Sequence, residues 1–324
     1  MTLRRGSAGD SVLAVQTRLR ELKLYTGPLD GQYGGGTEAA VKCFQRTHNL
    51  DLNGEVGPAT WSQMFPDQPR PANDLLSCPV DQRCLALTGS FETCCAPPDC
   101  FCGLAGDFDG QGMSFGALQW NIGQGTLQPL LACFVKEHPK TADDIFHEHL
   151  AQLQRMLGGK LPEQLAFARS LQDRRHRFLE PWRGMFAALG RTPEFRAIQA
   201  DAAKVVFNRA RTLASDYGLS SERGTALMFD ILTQNGSISA AVKAAIMRDC
   251  AGLPATLSAT EREVQRMRII ARRRAAVARA QYRDDVLNRK MTIAEGTGTV
   301  HNLRYDLAEQ FGLTLDPVSP VVRA

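Results

Sequence analysis

Long apolar runs are missing from this chain. None approaches the roughly 18 consecutive apolar residues that a membrane-crossing helix needs, so no transmembrane helix is expected. An excess of one charge is missing too: 38 basic and 34 acidic residues leave a net charge of +4, well short of a dedicated nucleic-acid binder. No nucleic-acid partner is expected. Histidine is scarce, at six residues, and His147 and His149 in "IFHEHLAQ" lie only two apart, which denies them the shared helix face of an HExxH metal site. The cysteines contain no CxxC pair, which weakens a zinc reading. Neither a metal nor another cofactor is expected. The opening residues, "MTLRRGSAGDSVLAVQ", have basic side chains but no unbroken apolar h-region and no small-residue cleavage site, so no secretory signal is expected.

What is present has the balance of an ordinary globular chain, 44% hydrophobic and 22% charged. Its 324 residues exceed what one core usually holds and predict two domains, in a monomer. Cysteine is plentiful at nine, six of them (Cys78, Cys84, Cys94, Cys95, Cys100, Cys102) crowded into one short stretch. Local disulfides in an oxidising compartment and plain thiols both fit that crowding, and the odd total leaves at least one thiol unpaired within a monomer. Cys43, in "AAVKCFQ", reads as a small core residue of a helix.

Residues 11–24 place Val12, Val15, Leu19 and Leu22 at helical spacing. "TGPLDGQYGGGT" is a glycine-rich loop, after which Thr37 is the expected N-cap of a helix with Ala40, Val41 and Phe44 on its apolar face. "DLNGEVGPATWSQMF" starts a short third helix, with Pro58 in its first turn and Trp61 and Phe65 inward. "PDQPRPAND" follows as a short, stiff, proline-rich linker.

The G-S-x-G-x-x-V opening, the "DGQYG" turn, "AVxxFQ" and the "NGEVGPATW" closing turn occur in that order over residues 3–66. Together they closely resemble the three-helix peptidoglycan-binding domain carried by many cell-wall enzymes. The resemblance implies peptidoglycan as a partner and a shallow saccharide and stem-peptide groove around Asp30, Gly31, Tyr33 and Gln45. Most glycines of the two turns also have a plain structural explanation as turn residues.

Beyond the linker, "DLLSCPVDQRCLALTGSFET" predicts a helix restarted near Pro79 and ending around Gly89 to Thr93, with Glu92 at its end beside Phe91. A carboxyl held against an aromatic and partly withdrawn from water is suited to general-acid work. The stretch "DFDGQGMSFGALQWN" then predicts a turn at residues 109–112 followed by an alternating run, a small β-hairpin that places carboxylates and amides on one rim. Glycoside hydrolysis needs such an opposed pair of carboxyl groups, one to protonate the leaving oxygen and one to attack or to activate water. The bland alternative for Asp109 is an ordinary Asp-Gly turn.

"GSFET" followed by "DGQGMSFGALQWN" looks like the lysozyme-like superfamily, whose S-x-G-x-x-Q hairpin is matched by Ser114, Gly116 and Gln119. "DGQGMSFG" is also similar to the chitosanase branch, where the aspartate of a D-G-x-G turn and a hydroxyl five residues later position the hydrolytic water. That resemblance implies a general acid at Glu92, a base at Asp109 and a water-holding hydroxyl at Ser114, with Asp107 as the alternative carboxylate. Ser114 departs from the threonine usual in that branch. Gln119 and Asn121 are implied as sugar contacts.

The rest is read from pattern. Helical periodicity near 140–157, 163–188, 192–217, 223–232, 237–248 and 259–289 predicts a mainly α chain with one small β-hairpin. With the two resemblances this implies a binding domain over 1–66, a linker over 67–74 and a lysozyme-like α+β domain over 75–324. Gln234 and Asn235, before Gly236, are candidate sugar contacts, with C-capping as the alternative. Glu295 is a reserve second carboxylate. The helix around Arg266–Arg274 reads as a solvated face with Ile269, Ile270, Val277 and Tyr282 inward, or else as a contact to an anionic envelope.

The combined expectation is a peptidoglycan hydrolase of the muramidase type, inverting, acting on the bacterial wall. The competing enzymes are a chitosanase and a lytic transglycosylase, and the non-enzyme alternative is an inactive wall-binding protein. Without a signal peptide, delivery to the periplasm is expected through holin-type release of a phage endolysin or through a secretion machine.

Overall fold

The computed structural model describes residues 2–318. The described residues are mainly helical, with two small antiparallel sheets. The chain forms two compact units, one of Met1–Leu87 with Val206–Ala324, the other of Thr88–Val205.

In the first unit, α1 (Asp10–Glu21), α2 (Gly35–Thr47) and α3 (Pro58–Met64) pack around Val12, Val15, Leu19, Val41, Phe44 and Trp61. Helix α1 stops at Glu21, so Leu22 is 37% exposed instead of completing the apolar stripe. Thr37 lies inside α2 and is buried, accepting a hydrogen bond from Gln16; Gly34 occupies the cap position assigned to it from sequence.

Two fully buried glutamines organise this bundle in the same way. The Gln16 amide donates to Asp30 Oδ1 (2.9 Å), the Gln32 carbonyl (2.9 Å) and Thr37 Oγ1 (3.2 Å), while its oxygen accepts from Gly31 N (2.9 Å). The Gln45 amide donates to Asn53 Oδ1 (2.9 Å), the Glu55 carbonyl (2.8 Å) and Thr60 Oγ1 (3.2 Å), while its oxygen accepts from Gly54 N (2.9 Å). Each clamp closes an Asx-Gly turn, where Gly31 and Gly54 adopt φ of +66° and +71°. "LDGQYGGGT" and "LNGEVGPAT" are therefore one structural device used twice.

The same unit holds the chain's C-terminal ribbon, Thr297–Val300 paired with Leu303–Asp306, and the short helix Leu307–Phe311. The N-terminal segment packs on them. Arg4 pairs with Glu309 (2.9 Å), Arg304 with Glu55 (3.2 Å), and Thr2 N donates to Glu309 (2.8 Å). Gly6, at φ +93°, leaves so little room that a Cβ there would meet Leu303 Cδ2 at 3.1 Å. Asn73, in the segment read as linker, donates to the Glu309 and Gln310 carbonyls at 3.0 Å.

Helices Glu222–Asn235 and Arg283–Glu295 bury an ion cluster in which Asp230 accepts from Arg289 and Lys290, all three at most 2% exposed. The long helix read over 259–289 is two, Ala259–Ala276 and Arg283–Glu295. The break leaves Val277 and Tyr282 exposed (55% and 52%), whereas Ile270 is buried as expected. Several arginines of Ala259–Ala276 are engaged within the unit: Arg268 with Glu295, Arg273 with Asp249, and Arg266 with the Gly218 carbonyl.

Helix α4 (Val80–Thr93) leads into the second unit. There β1 (Leu104–Ala105), β2 (Ser114–Phe115) and β3 (Trp120–Asn121) form one antiparallel sheet in that order. Its core gathers Phe115, Phe134, Phe146, Phe186 and Phe195, with Phe115 packed 5.2 Å from Phe186 and 5.6 Å from Phe195 between ring centroids. The helix expected over 163–188 ends at Ser170 and resumes at Trp182. Between them Asp173 Oδ1 accepts from the backbone of Arg175 (2.8 Å) and Arg177 (3.0 Å), a side-chain capture that competes with helix continuation.

The nine cysteines are free thiols. Burial pushes the Cys100 thiol well above its ordinary value and that of Cys102 up to about 12, which favours the protonated thiol at both.

Candidate active site

Helix α4 brings Glu92 to the sheet. Gly89 of that helix approaches the sheet so closely that a Cβ there would lie 2.8 Å from Ala117 Cβ, and Thr93 packs against Gly103. Residues 89 and 93 share one helix face, and Glu92, three after Gly89, emerges at its margin. Glu92 is half-buried and follows the fully buried Phe91.

The strand register settles which way Ser114 faces. Side chains alternate along a strand, and Phe115 is locked in the core, so Ser114 points to the opposite side. It pairs with Asn121 across the sheet, and its hydroxyl makes no hydrogen bond to another described residue.

The acidic turn that precedes β2 is held from behind. Asp107 Oδ1 accepts from Gly112 N (2.7 Å) and Oδ2 pairs with Arg169 Nε (2.6 Å), while Arg169 also donates to the Gly110 carbonyl (3.4 Å). Gln172 completes the clamp, accepting from Asp107 N and donating to the Gly112 carbonyl, each at 2.8 Å. Burial favours the neutral Asp107 carboxyl, but the Arg169 guanidinium and the Gly112 amide outweigh it and hold the group below the usual carboxylate range. Gly110 and Gly112, at φ +83° and +81°, let the chain reverse there. Asp109 is left exposed at the tip, its only described hydrogen bond the local one from Gln111 N (3.1 Å).

The reversal between β2 and β3 lies at Gly116–Gln119. The turn read at 109–112 is a separate loop ahead of the strand. Two residues read as sugar contacts brace the backbone around the sheet: the Gln119 amide donates to the Gly103 (3.1 Å) and Gly116 (2.9 Å) carbonyls, and Asn121, 8% exposed, accepts from Gln124 N (2.8 Å).

Gln199, absent from the sequence reading, anchors the same turn, accepting from Ala117 N (2.8 Å) and donating to the Phe101 carbonyl (3.1 Å). A signal existed, because Gln199 stands four residues from both Phe195 and Ala203 on a buried stripe, where a polar side chain needs partners. Arg169 and Gln172 carried no such mark, being some 60 residues from the turn they hold.

The remaining candidates belong to the other compact unit. Gln234 is tied to Lys290 and Asp285, and the buried Asn235 Oδ1 has no partner among the described residues. Glu295 pairs through both oxygens with Arg268 (2.7 and 2.6 Å), which holds it below the usual range. In the N-terminal bundle, Gln45 and Tyr33 are 0% and 2% exposed, with the Tyr33 hydroxyl donating to the Gly54 carbonyl (2.9 Å). Asp30 remains at the surface, held ionised by Gln16, beside a cleft of about 520 Å³ lined by Tyr25, Thr26, Gln32 and Cys43 among others.

Comparison with known proteins identifies the N-terminal part. Residues 8–64 match the family described as "Putative peptidoglycan binding domain". The chain is 39% identical over 57 residues to the N-acetylmuramoyl-L-alanine amidase CwlM of Mycobacterium tuberculosis, covering 18% of this chain and 14% of that one. It is 38% identical over 58 residues to the spore cortex-lytic enzyme of Bacillus cereus, covering 18% and 22%. The chain thus spans less than a quarter of these relatives' length. Among solved structures, the native chitosanase from Bacillus subtilis MY002 aligns with a TM-score of 0.46 at 17% identity, over 73% of this chain and 91% of that one.

Proposed function

We propose that the chain is a peptidoglycan hydrolase that cleaves the β-1,4 bond after N-acetylmuramic acid, with inversion. What supports the reading is the setting of three residues: Glu92, half-buried at the end of a helix whose Gly89 and Thr93 pack on the sheet region, the unclamped Asp109 on the turn ahead of β2, and the outward Ser114 in β2. The peptidoglycan-binding match over residues 8–64 supports murein as the polymer, held through the open cleft beside Asp30.

In this mechanism Glu92 gives its proton to the leaving glycosidic oxygen. Asp109 takes a proton from a water held by Ser114 as that water attacks the anomeric carbon from the opposite face. A water between the carboxyl groups requires a separation of roughly 6.5–9.5 Å. Asp109 is preferred to Asp107 as base because Asp107 already neutralises Arg169 and secures the turn.

The test is product analysis on purified sacculi. Hydrolysis gives reducing muramic acid ends, first as the α-anomer by NMR. Anhydro-muramic ends would replace this reading with a transglycosylase. Cleavage of chitosan with intact sacculi would replace it with a chitosanase, and no products from either polymer would leave a wall-binding protein.

A further inference from the structure

Beside the acidic turn lies a surface that the proposed chemistry does not use. Phe108, between the two aspartates, is 72% exposed. Single exposed hydrophobics are common, but this one is fixed in place. Its backbone N–H donates to the Gly106 carbonyl (2.9 Å), and its ring meets His176 edge-on at 5.2 Å between centroids. Gly106 packs directly on the His176 carbonyl, so no larger residue fits where the two loops meet.

The partner loop is equally fixed. Arg177 Nε pairs with Asp173 Oδ2 (2.8 Å), and His176 N donates to the Asp173 carbonyl (2.9 Å), which adds to the capture of the Arg175 and Arg177 amides. Residues 174–177 are all exposed, and the Arg174 and Arg175 guanidinium groups make no ion pair or hydrogen bond with any described side chain. An aromatic ring next to Asp109 in the chain and, on the loop that packs against it, two guanidinium groups with no partner among the described side chains are therefore held by hydrogen-bonded backbone.

We propose that this rim is a subsite for the stem peptide of peptidoglycan, with Arg174 and Arg175 taking its carboxylates and Phe108 lying against the adjoining sugar. The inference rests on the peptidoglycan reading above. Guanidinium groups bind carboxylates in paired hydrogen bonds, and a ring face suits the apolar face of a pyranose. A chitosan chain, which is cationic, would be repelled by the same arginines.

The test uses the full chain carrying Glu92→Gln, so that ligands are not cleaved, and calorimetric titration with two soluble probes: a disaccharide bearing its tetrapeptide and the same disaccharide without peptide. Replacing Arg174 and Arg175 together by alanine is expected to weaken the peptide-bearing probe about three- to tenfold, to leave the bare disaccharide unchanged, and to flatten the salt dependence. Lysine at both positions should restore part of the loss. Phe108→Ala should weaken both probes about threefold.

Equal affinity of the parent chain for the two probes, or an arginine double variant that binds both as before, overturns the inference. Displacement of the peptide-bearing probe by a DNA oligonucleotide at equal concentration also overturns it, in favour of a general anion surface. A chain that discriminates the probes but releases no products from sacculi keeps this subsite and loses the hydrolase reading.

Discussion

Two kinds of Asx-Gly turn stand in this molecule, and they treat their Asp and Asn side chains oppositely. In the N-terminal bundle, the side chains of Asp30 and Asn53 are the gripped parts, held by Gln16 and Gln45 from inside the fold. In the second unit, Gln172 and Arg169 grip the turn through Asp107 and two glycine carbonyls, so Asp109 stays at the tip with only a local bond. The same residue types close a turn in one place and present a carboxylate in the other. What separates them is where the clamp attaches, and a short sequence window does not contain the clamp.

Five substitutions break or sharpen that contrast. The largest effect belongs to the presented carboxyls: Glu92→Gln should lower turnover on sacculi by about 10²- to 10⁴-fold, and Asp109→Asn by a similar or smaller factor, with unfolding midpoints close to the parent. A loss of stability that accounts for the loss of rate would place both groups with the structural acids.

Gln45→Ala should do the reverse. Removing a buried side chain with four partners is expected to cost about 2–4 kcal/mol in denaturant unfolding, because Gly54 N and the Thr60 hydroxyl lose their partner away from water. Weaker wall binding at unchanged stability would instead make Gln45 a ligand residue.

Asp107→Asn tests the clamp itself and should cost about 1–2 kcal/mol at neutral pH. The Asp107 carboxyl is held below its unfolded value, so its contribution is present above about pH 4 and is lost as the pH falls through the folded value. The difference between parent and variant should therefore shrink in acid, and an equal difference at pH 7 and pH 2.5 would remove the ion pair as its source.

The smallest change is expected for Asp30→Asn. Asparagine keeps the acceptor for Gln16, so stability should move by less than about 0.5 kcal/mol. Binding to sacculi should fall modestly, about two- to threefold, if the Asp30 charge faces the polymer.

The sequence carried the helices well, because amphipathic spacing is written locally; α1 to α4 and Pro193–Asp216 lie where periodicity puts them. Glu92 at the end of α4 was legible for the same reason. Helix interruptions were not, since an Asp that captures two backbone amides at residues 173–177 looks like any solvent-facing Asp in a periodic segment. Nor could the fate of each amide be read. Gln119 and Asn121 fit a sugar-binding pattern but hold turns, whereas Gln172 and Gln199 hold the same region across long sequence separation.

The seam between the N-terminal segment and the C-terminal ribbon has a consequence for how such a protein can be rebuilt. Arg4, Gly6 and Glu55 are fitted to Glu309, Leu303 and Arg304, so the binding bundle is not a bead that can be exchanged at its proline-rich join. A chimera that imports a foreign bundle at residue 70 inherits an orphaned Glu309 and a bared Leu303, and should express as a poorly soluble chain. One that transplants residues 2–66 together with the 297–311 segment keeps the lock and its key, and marks the unit that recombination could have moved whole.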